Sequence, residues 1–339
     1  MGISFRSSIL ATSATMLACL AAPAVAEKLI VSTNLAPHHW GTTMGAEPFM
    51  ACVTERTEGE ITFDYFHSGQ LASFFESLNA VNDGLAQMAL IVLPAQTDKL
   101  PLTGISQLAG LGTTTVQSTR ATRAVLEEEG PIRDEYLAND IVPLLINVYP
   151  SYQMLSRRGP IDSLSAMQNI PISSGGGALL VTLAELGAAP VESATGDVYL
   201  SMQQGTVDAT MLSTVSIMPY NLHEVIKSVS SNGNFGIATG IWSIDKGVWD
   251  GLTESQRSAL RGCGLETEEA LAAWVDELVS KTLEDLSGMG IEVYAFPQEE
   301  LEKIDVHLAA ARENYVARLA SRGLPAEDAY QDYLQALDR

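Results

Sequence analysis

The sequence predicts an α/β protein of two domains, and three observations carry that reading. Residues 159–208 alternate strand, helix, strand and helix, the order of a domain whose helices pack on a largely parallel sheet. Setting aside a leader of 26 residues leaves 339 − 26 = 313, which at roughly 100 to 200 residues per domain is two domains. Two strand-forming runs, 141–149 and 234–243, stand where the chain would cross between the domains and return.

Residues 1–26 read as a secretory leader, with Arg6 in a short basic region, an apolar run through Leu20, and the small residues Ala24 and Ala26 framing a cleavage site after Ala26. A lipoprotein reading through Cys19 competes with it, but the site at Ala26 is cleaner. The expected location is the periplasm. All 41 acidic residues lie after the leader with 18 of the 19 basic ones, giving 18 − 41 = −23. Such a balance argues against nucleic acid or an anionic membrane surface as partner. After the leader only Cys52 and Cys263 remain, and they form either a disulfide or two buried thiols.

Along the chain, 28–33 is β-rich and leads through a loop into an amphipathic helix ending near Thr57. Residues 61–67 alternate as a strand, 73–83 read as a helix stopped by Gly84, and 88–93 form an apolar strand buried on both faces. Helices are expected over 119–129 and 132–137. Beyond the first crossing come a short strand ending at Ile172, a turn at Gly175–Gly177, an apolar helix, a strand over 189–192 and a helix ending near Gly205. After the second crossing, Thr253 with Gln256 three positions on makes a capping box. Separate long helices are expected over 266–286 and 298–321, then a final helix from Pro325. The expected domains are 27–150 with 236–275, and 151–235 with 276–339 including the C-terminal helices.

Catalytic and metal patterns are missing: there is no HExxH, no GxSxG, no phosphate-binding GxxxxGK and no zinc spacing, and the carboxylates are scattered over helix faces. No enzyme, cofactor or metal is expected. His38 and His39 are adjacent, so in an extended loop their rings point apart. Gly175–Gly177 has two readings, backbone N–H groups offered to an anion or a tight strand-to-helix turn.

The motifs Pro160-Ile161-Asp162-Ser163-Leu164, Gly187-Ala188-Ala189-Pro190-Val191, Asp197-Val198-Tyr199, and Gly205-Thr206-Val207-Asp208 resemble those of the solute-binding subunits of tripartite ATP-independent periplasmic (TRAP) transporters, the DctP family. Gly69-Gln70-Leu71 with Glu76, Trp249 with Leu252 and Gln256, and the run 288–296 extend the resemblance over nearly the whole chain after the leader. It implies a type II periplasmic-binding-protein-like fold with hinge strands near Tyr149 and Phe235. It also implies a monomer that closes on a small organic solute and hands it to the membrane permease subunits, which touch the rims of both domains. The alternative is a periplasmic ligand-sensing protein that presents its ligand to a membrane signalling receptor.

The resemblance also locates a pocket, and there the chain departs from the family. Ser173 stands where the family carries an arginine that grips the solute carboxylate, and Gln153 where some members bring a second. Val92 falls at an acidic or polar position, and Leu212 or Ser213 at an asparagine. Arg157 and Arg158 are the nearest cations; either one of them faces the cleft or both lie at the surface. The expected ligand-binding set is Asn34, Trp40, Phe74, Val92, Tyr152, Gln153, Ser173, Ser174, Tyr199, Leu212, Ser213 and Trp242, with Phe75 and Leu93 beside them. With no charged anchor, four-carbon dicarboxylates and sialic acid should bind poorly, and a solute that is neutral near Ser173 should be preferred.

Overall fold

A computed structural model describes residues 1–2 and 27–339, so the expected leader, Cys19 and the cleavage site lie outside the described residues. The strands in chain order are β1 (Glu27–Ser32), β2 (Ile61–Phe66), β3 (Met88–Val92), β4 (Ile141–Val148), β5 (Gln153–Ser156), β6 (Pro171–Ser174), β7 (Ala189–Glu192), β8 (Ala209–Leu212), β9 (Ser228–Ser230), β10 (Thr239–Asp245) and β11 (Glu292–Tyr294). The helices are α1 (Glu47–Arg56), α2 (Ser77–Asn82), α3 (Thr115–Glu127), α4 (Pro131–Ala138), α5 (Leu164–Met167), α6 (Ala178–Glu185), α7 (Val198–Gln204), α8 (Lys246–Gly251), α9 (Glu254–Gly288), α10 (Gln298–Ser321) and α11 (Ala326–Leu337).

Domain I is built on a sheet of order β2-β1-β3-β10-β4, domain II on one of order β11-β9-β5-β8-β6-β7. In domain I, β1 runs parallel to β2 and β3, while β10 is antiparallel to β3 and β4. In domain II, β6 is parallel to β7 and β8, and β5 is antiparallel to β8 and β9. The antiparallel strands are the ones adjoining the crossings. Between the sheets the two crossing segments bond to each other: Tyr149 N–H donates to the Ala238 carbonyl at 2.9 Å and Tyr152 N–H to Gly236 at 2.8 Å. This is a paired hinge rather than a loose linker.

Helix α9 is one uninterrupted helix of 35 residues, about 52 Å at 1.5 Å per residue, long enough to brace both domains. The expected capping box is present at its start, Thr253 with Gln256. The expectation of a separate helix over 266–286 is corrected, because Gly262 and Gly264 do not break the helix. Gly264 instead lets α9 lie on β4, where any Cβ would fall 1.9 Å from the Leu144 carbonyl oxygen. Beside that contact Glu268, almost fully buried, accepts from the Arg123 guanidinium and from Ile146 N–H, tying α9, α3 and β4 together.

The C-terminal helices divide between the domains. Helix α10 packs on α6 of domain II, while α11 packs on α3 of domain I and buries Ala329, Tyr333 and Ala336. The expectation that 276–339 follows domain II therefore does not describe α11. Its apolar residues recur at helical spacing and complete the core of the other domain. Among the described residues no helix is long and apolar enough to cross a membrane.

Cys52 on α1 and Cys263 on α9 are joined as a disulfide across a sequence separation of 211, with Cα atoms 5.8 Å apart. It closes domain I between its first helix and its brace. Cys52→Ser should cost about 5 kcal/mol on the chain-entropy model, a Tm lower by roughly 10 °C. Calorimetry with and without dithiothreitol measures it, and a shift of only about 1 °C would show that the bridge does not restrain the unfolded chain.

Candidate functional site

The cleft between the domains is floored by the hinge. Its walls are Asn34, Leu35, Phe74, Val92 and Pro94 from domain I, Tyr149, Tyr152 and Ala238 from the crossings, and Gly175, Thr195, Ser216 and Tyr220 from domain II. It is nearly filled by its own side chains, leaving about 20 Å³. That is room for one water-sized molecule, so a larger solute enters only as the walls part.

The loop after β1 builds the aromatic part of the wall. After Trp40 the chain starts in a wide π turn, Gly41–Ala46, before tightening into α1. A Cβ at position 41 would crowd the side chains around it, 2.9 Å from Leu35, 3.0 Å from the Asn147 amide and 3.2 Å from His39 Nδ1. Gly41 N–H donates to His39 Nδ1 at 2.9 Å. That bond puts the ring hydrogen on Nε2, which is buried and has no hydrogen-bond partner among the described residues. Burial, with a smaller contribution from His38, lowers the His39 pKa to about 3. His39 is thus a neutral donor, packed 5.0 Å from Trp40 and 5.6 Å from Tyr220 between ring centroids. Trp40 stacks 4.8 Å from Tyr149 and donates its indole N–H to the Val215 carbonyl, a hydrogen bond that crosses the cleft.

Burial also raises the pKa of all three lining tyrosines, that of Tyr220 to about 12 and those of Tyr149 and Tyr152 further still. They remain phenols at any physiological pH. The cleft therefore offers tyrosine hydroxyls and the Asn34 amide, whose Oδ1 is buried and unpartnered among the described residues; His39 lies behind this wall. No arginine or lysine lines it.

Gly175–Gly177 is the expected tight strand-to-helix turn, joining β6 to α6. It is where the one-turn helix Leu93–Ala95 of domain I rests on domain II. A Cβ at Gly175 would stand 2.6 Å from Pro94 Cβ, at Gly176 2.2 Å from the Pro94 carbonyl oxygen, and at Gly177 2.5 Å from Thr97 Cγ2. Bare backbone lets the domains meet, so the turn acts as a closure latch.

The expected set of site residues divides. Asn34, Phe74, Val92 and Tyr152 line the cleft, with Trp40 stacked behind it. Ser173, Ser174, Leu212 and Ser213 lie buried at the ends of β6 and β8; Ser174 is tied to the Met211 carbonyl, while the Ser173 and Ser213 hydroxyls have no partner among the described residues. Gln153 belongs to the hinge, its amide exchanging hydrogen bonds with Gly233 and Ser230. Tyr199 lies on the outer face of domain II bonded to Glu224, and Trp242 is in the core of domain I, 6.2 Å from Tyr65. Leu93 is buried in domain I and Phe75 is exposed. Arg157 and Arg158 both pair with Asp208 beyond the far end of β5, so neither replaces the arginine. Sequence reasoning missed Tyr149, Tyr220, Thr195 and Ser216. The signal for Tyr149 was available, since a pivot residue borders both domains.

A larger cavity, about 420 Å³, lies between the hinge and α9. Its polar groups already serve one another: Asp276 accepts from Thr115 and Val116 N–H, and Asn234 bonds Gly112 and Ser151. Its one buried side-chain polar atom without a partner among the described residues is Thr115 Oγ1.

A family model for bacterial extracellular solute-binding protein, family 7, matches residues 32–318. A solute-binding protein of Albidiferax ferrireducens is 25% identical over 223 residues, 65% of each chain. The structure of a TRAP solute-binding protein from Rhodoferax ferrireducens with copurified benzoate superimposes with a TM-score of 0.84 at 17% identity, covering 92% of this chain and 98% of that one. One from Bordetella bronchiseptica with bound (R)- and (S)-mandelate gives 0.82 at 17% identity, covering 92% and 99%. The likeness of these structures is one of fold.

Two outcomes follow from the geometry. Gly176→Val should hold the domains apart; X-ray scattering should give a larger radius of gyration than wild type at unchanged circular dichroism, and an equal radius would refute the latch. His39 has a folded pKa below its unfolded value, so the unfolded chain binds the extra proton and stability falls as pH drops from about 6.5 towards 3, by up to about 1.4 kcal/mol per pH unit. His39→Phe should flatten that part of the stability curve, read by urea titration at pH 4, 5 and 6.

Proposed function

The chain belongs to the bacterial extracellular solute-binding proteins of family 7, and on that premise we propose that it is the periplasmic solute-binding subunit of a TRAP transporter, closing on one small solute and delivering it to the membrane permease. The observation that carries the solute class is the cleft wall: aromatic rings and neutral donors from both domains, with no cation. A carboxylate taken from water into that wall would lose hydration without a counter-charge, at a cost of several kcal/mol. A ring packed among Tyr149, Tyr152 and Tyr220 with one hydrogen-bond acceptor meets what the wall offers. The solute is therefore a compact aromatic or planar molecule that is uncharged where it meets this wall. The benzoate and mandelate held by the two similar structures are of that size, with the carboxyl group on the ring in benzoate and one carbon away from it in mandelate.

Thermal-shift screening over benzamide, benzyl alcohol, benzoate, mandelate, succinate and malate, followed by calorimetry, decides the class. Aromatic compounds should give the largest shifts, with benzamide above benzoate at pH 7.5. Tyr220→Phe should weaken a hit by about 2- to 12-fold, the equivalent of one neutral hydrogen bond of 0.5 to 1.5 kcal/mol. Micromolar binding of succinate or malate would overturn the solute class while leaving the receptor role standing.

A further inference from the structure

The cavity of about 420 Å³ between the hinge and α9 falls within the roughly 300 to 1,000 Å³ of small-molecule pockets. Its polar wall is built by Thr115 at the start of α3, Asn234 on the second crossing, Thr214 and Ser231 of domain II, and Asp276 on α9. Val148, Ile237, Val279 and Leu283 give it an apolar side. Among the described residues no lysine, arginine or histidine lines it.

What these polar groups have left to offer is mostly acceptor capacity. Thr115 is only 2% exposed, and its hydroxyl has no hydrogen-bond partner among the described residues. Asp276 accepts Thr115 N–H on Oδ1 at 2.7 Å and Val116 N–H on Oδ2 at 3.2 Å, so each oxygen keeps a further lone pair. Asn234 Oδ1 accepts from the Ser151 hydroxyl and keeps one as well. The donors are more heavily engaged: Asn234 Nδ2 on the Gly112 carbonyl, Gln153 Nε2 on Gly233 and the Ser231 hydroxyl on Tyr294. A wall of acceptors suits a molecule rich in hydroxyl donors. The N–H groups at the start of α3 offset the charge of Asp276, so the wall does not call for a cation, and the apolar side can take the C–H face of a ring.

Tyr149 lines this cavity and the solute cleft alike. The cavity has its present shape while the cleft is closed down to about 20 Å³, and its walls come from both domains. A molecule that fits it in this arrangement binds less well once the domains rotate, and it favours closure by that difference in affinity.

We infer that the cavity between the hinge and α9 is a second binding site, that it takes a neutral polyhydroxy molecule of about monosaccharide size, and that its occupation favours closure of the cleft. The site and its effect on closure stand apart from the transport reading; only the effect on a solute in the cleft rests on it.

The test titrates the mature protein with D-glucose, myo-inositol and D-sorbitol, and with putrescine as a cationic probe, reading binding by calorimetry and saturation-transfer NMR. At least one polyol should bind at millimolar concentration or below, and more tightly than putrescine. Thr115→Val should weaken that polyol by about 2- to 12-fold, the loss of one neutral hydrogen bond. Val279→Trp, which fills the cavity from its apolar side and removes no polar group, should abolish binding at unchanged circular dichroism. X-ray scattering with the polyol alone should show a smaller radius of gyration, and benzamide should bind about 5-fold or more tightly in its presence. No binding of any polyol overturns the inference and leaves transport standing, and tighter binding of putrescine overturns the ligand class. Polyol binding that falls with Tyr220→Phe but not with Thr115→Val or Val279→Trp also overturns it, since the polyol would then be a solute of the cleft. An unchanged or larger radius of gyration overturns the effect on closure. If benzamide fails to bind at all, the reading of the cleft solute falls, while the polyol titration and the two variants still decide this site.

Discussion

The paired crossing segments set the terms for the rest of the molecule. Tyr149 and Tyr152 on one and Ala238 and Gly236 on the other exchange backbone hydrogen bonds, so the two sheets are joined by a two-stranded ribbon that can twist without coming apart. Each crossing also supplies an antiparallel strand to a sheet that is otherwise largely parallel. A ribbon alone would leave the domain angle soft. Helix α9 supplies the stiffness, held to domain I by the Cys52–Cys263 bridge, the Gly264 approach to Leu144 and the buried Glu268. The domains are thus tightly fixed on the brace side and free to part on the cleft side, the arrangement of a hinge.

Much of the fold was legible because its signals are local. The apolar run of β3, the capping box at Thr253 and the alternation through 159–208 each follow from residues close in sequence. The breaks in the reading came where a residue answers to a distant neighbour. Gly264 lies where separate helices were expected and is a contact with β4; Gly175–Gly177 is the expected strand-to-helix turn and is also a contact with Pro94. Glycine announces that backbone must come close to something, and the sequence does not say to what.

The site was half legible for a related reason. Strand β10 is buried on both faces except at its last residue, so its pattern carries no mark of which side faces the cleft, and Trp242 points into domain I. Gln153 stands where the resemblance placed an arginine, yet its amide is absorbed by the turn at Gly233. The adjacent histidines were set aside because their rings diverge, and that divergence is what buries His39 while leaving His38 at the surface near the Pro219 carbonyl. Polarity in a loop tells that a side chain will need partners; only the tertiary structure shows that His39 has one for Nδ1 and none for Nε2.

A receptor without a charged anchor has a different energetic problem from one with it. Neutral hydrogen bonds contribute about 0.5 to 1.5 kcal/mol each, less than those to a charged group, so binding depends on many contacts made together. Those contacts come from both domains, and they coincide only when Pro94 sits on the glycine turn. A solute shifts the open and closed populations only by the difference in its affinity for them. Contacts that need both domains are made only in a closed form. The self-filling of the cleft by Tyr149, Tyr152 and Tyr220 works in the opposite sense, because it stabilises closure without a solute. Any solute must therefore do better than the side chains it displaces, which favours flat, ring-sized molecules over flexible chains of equal polarity.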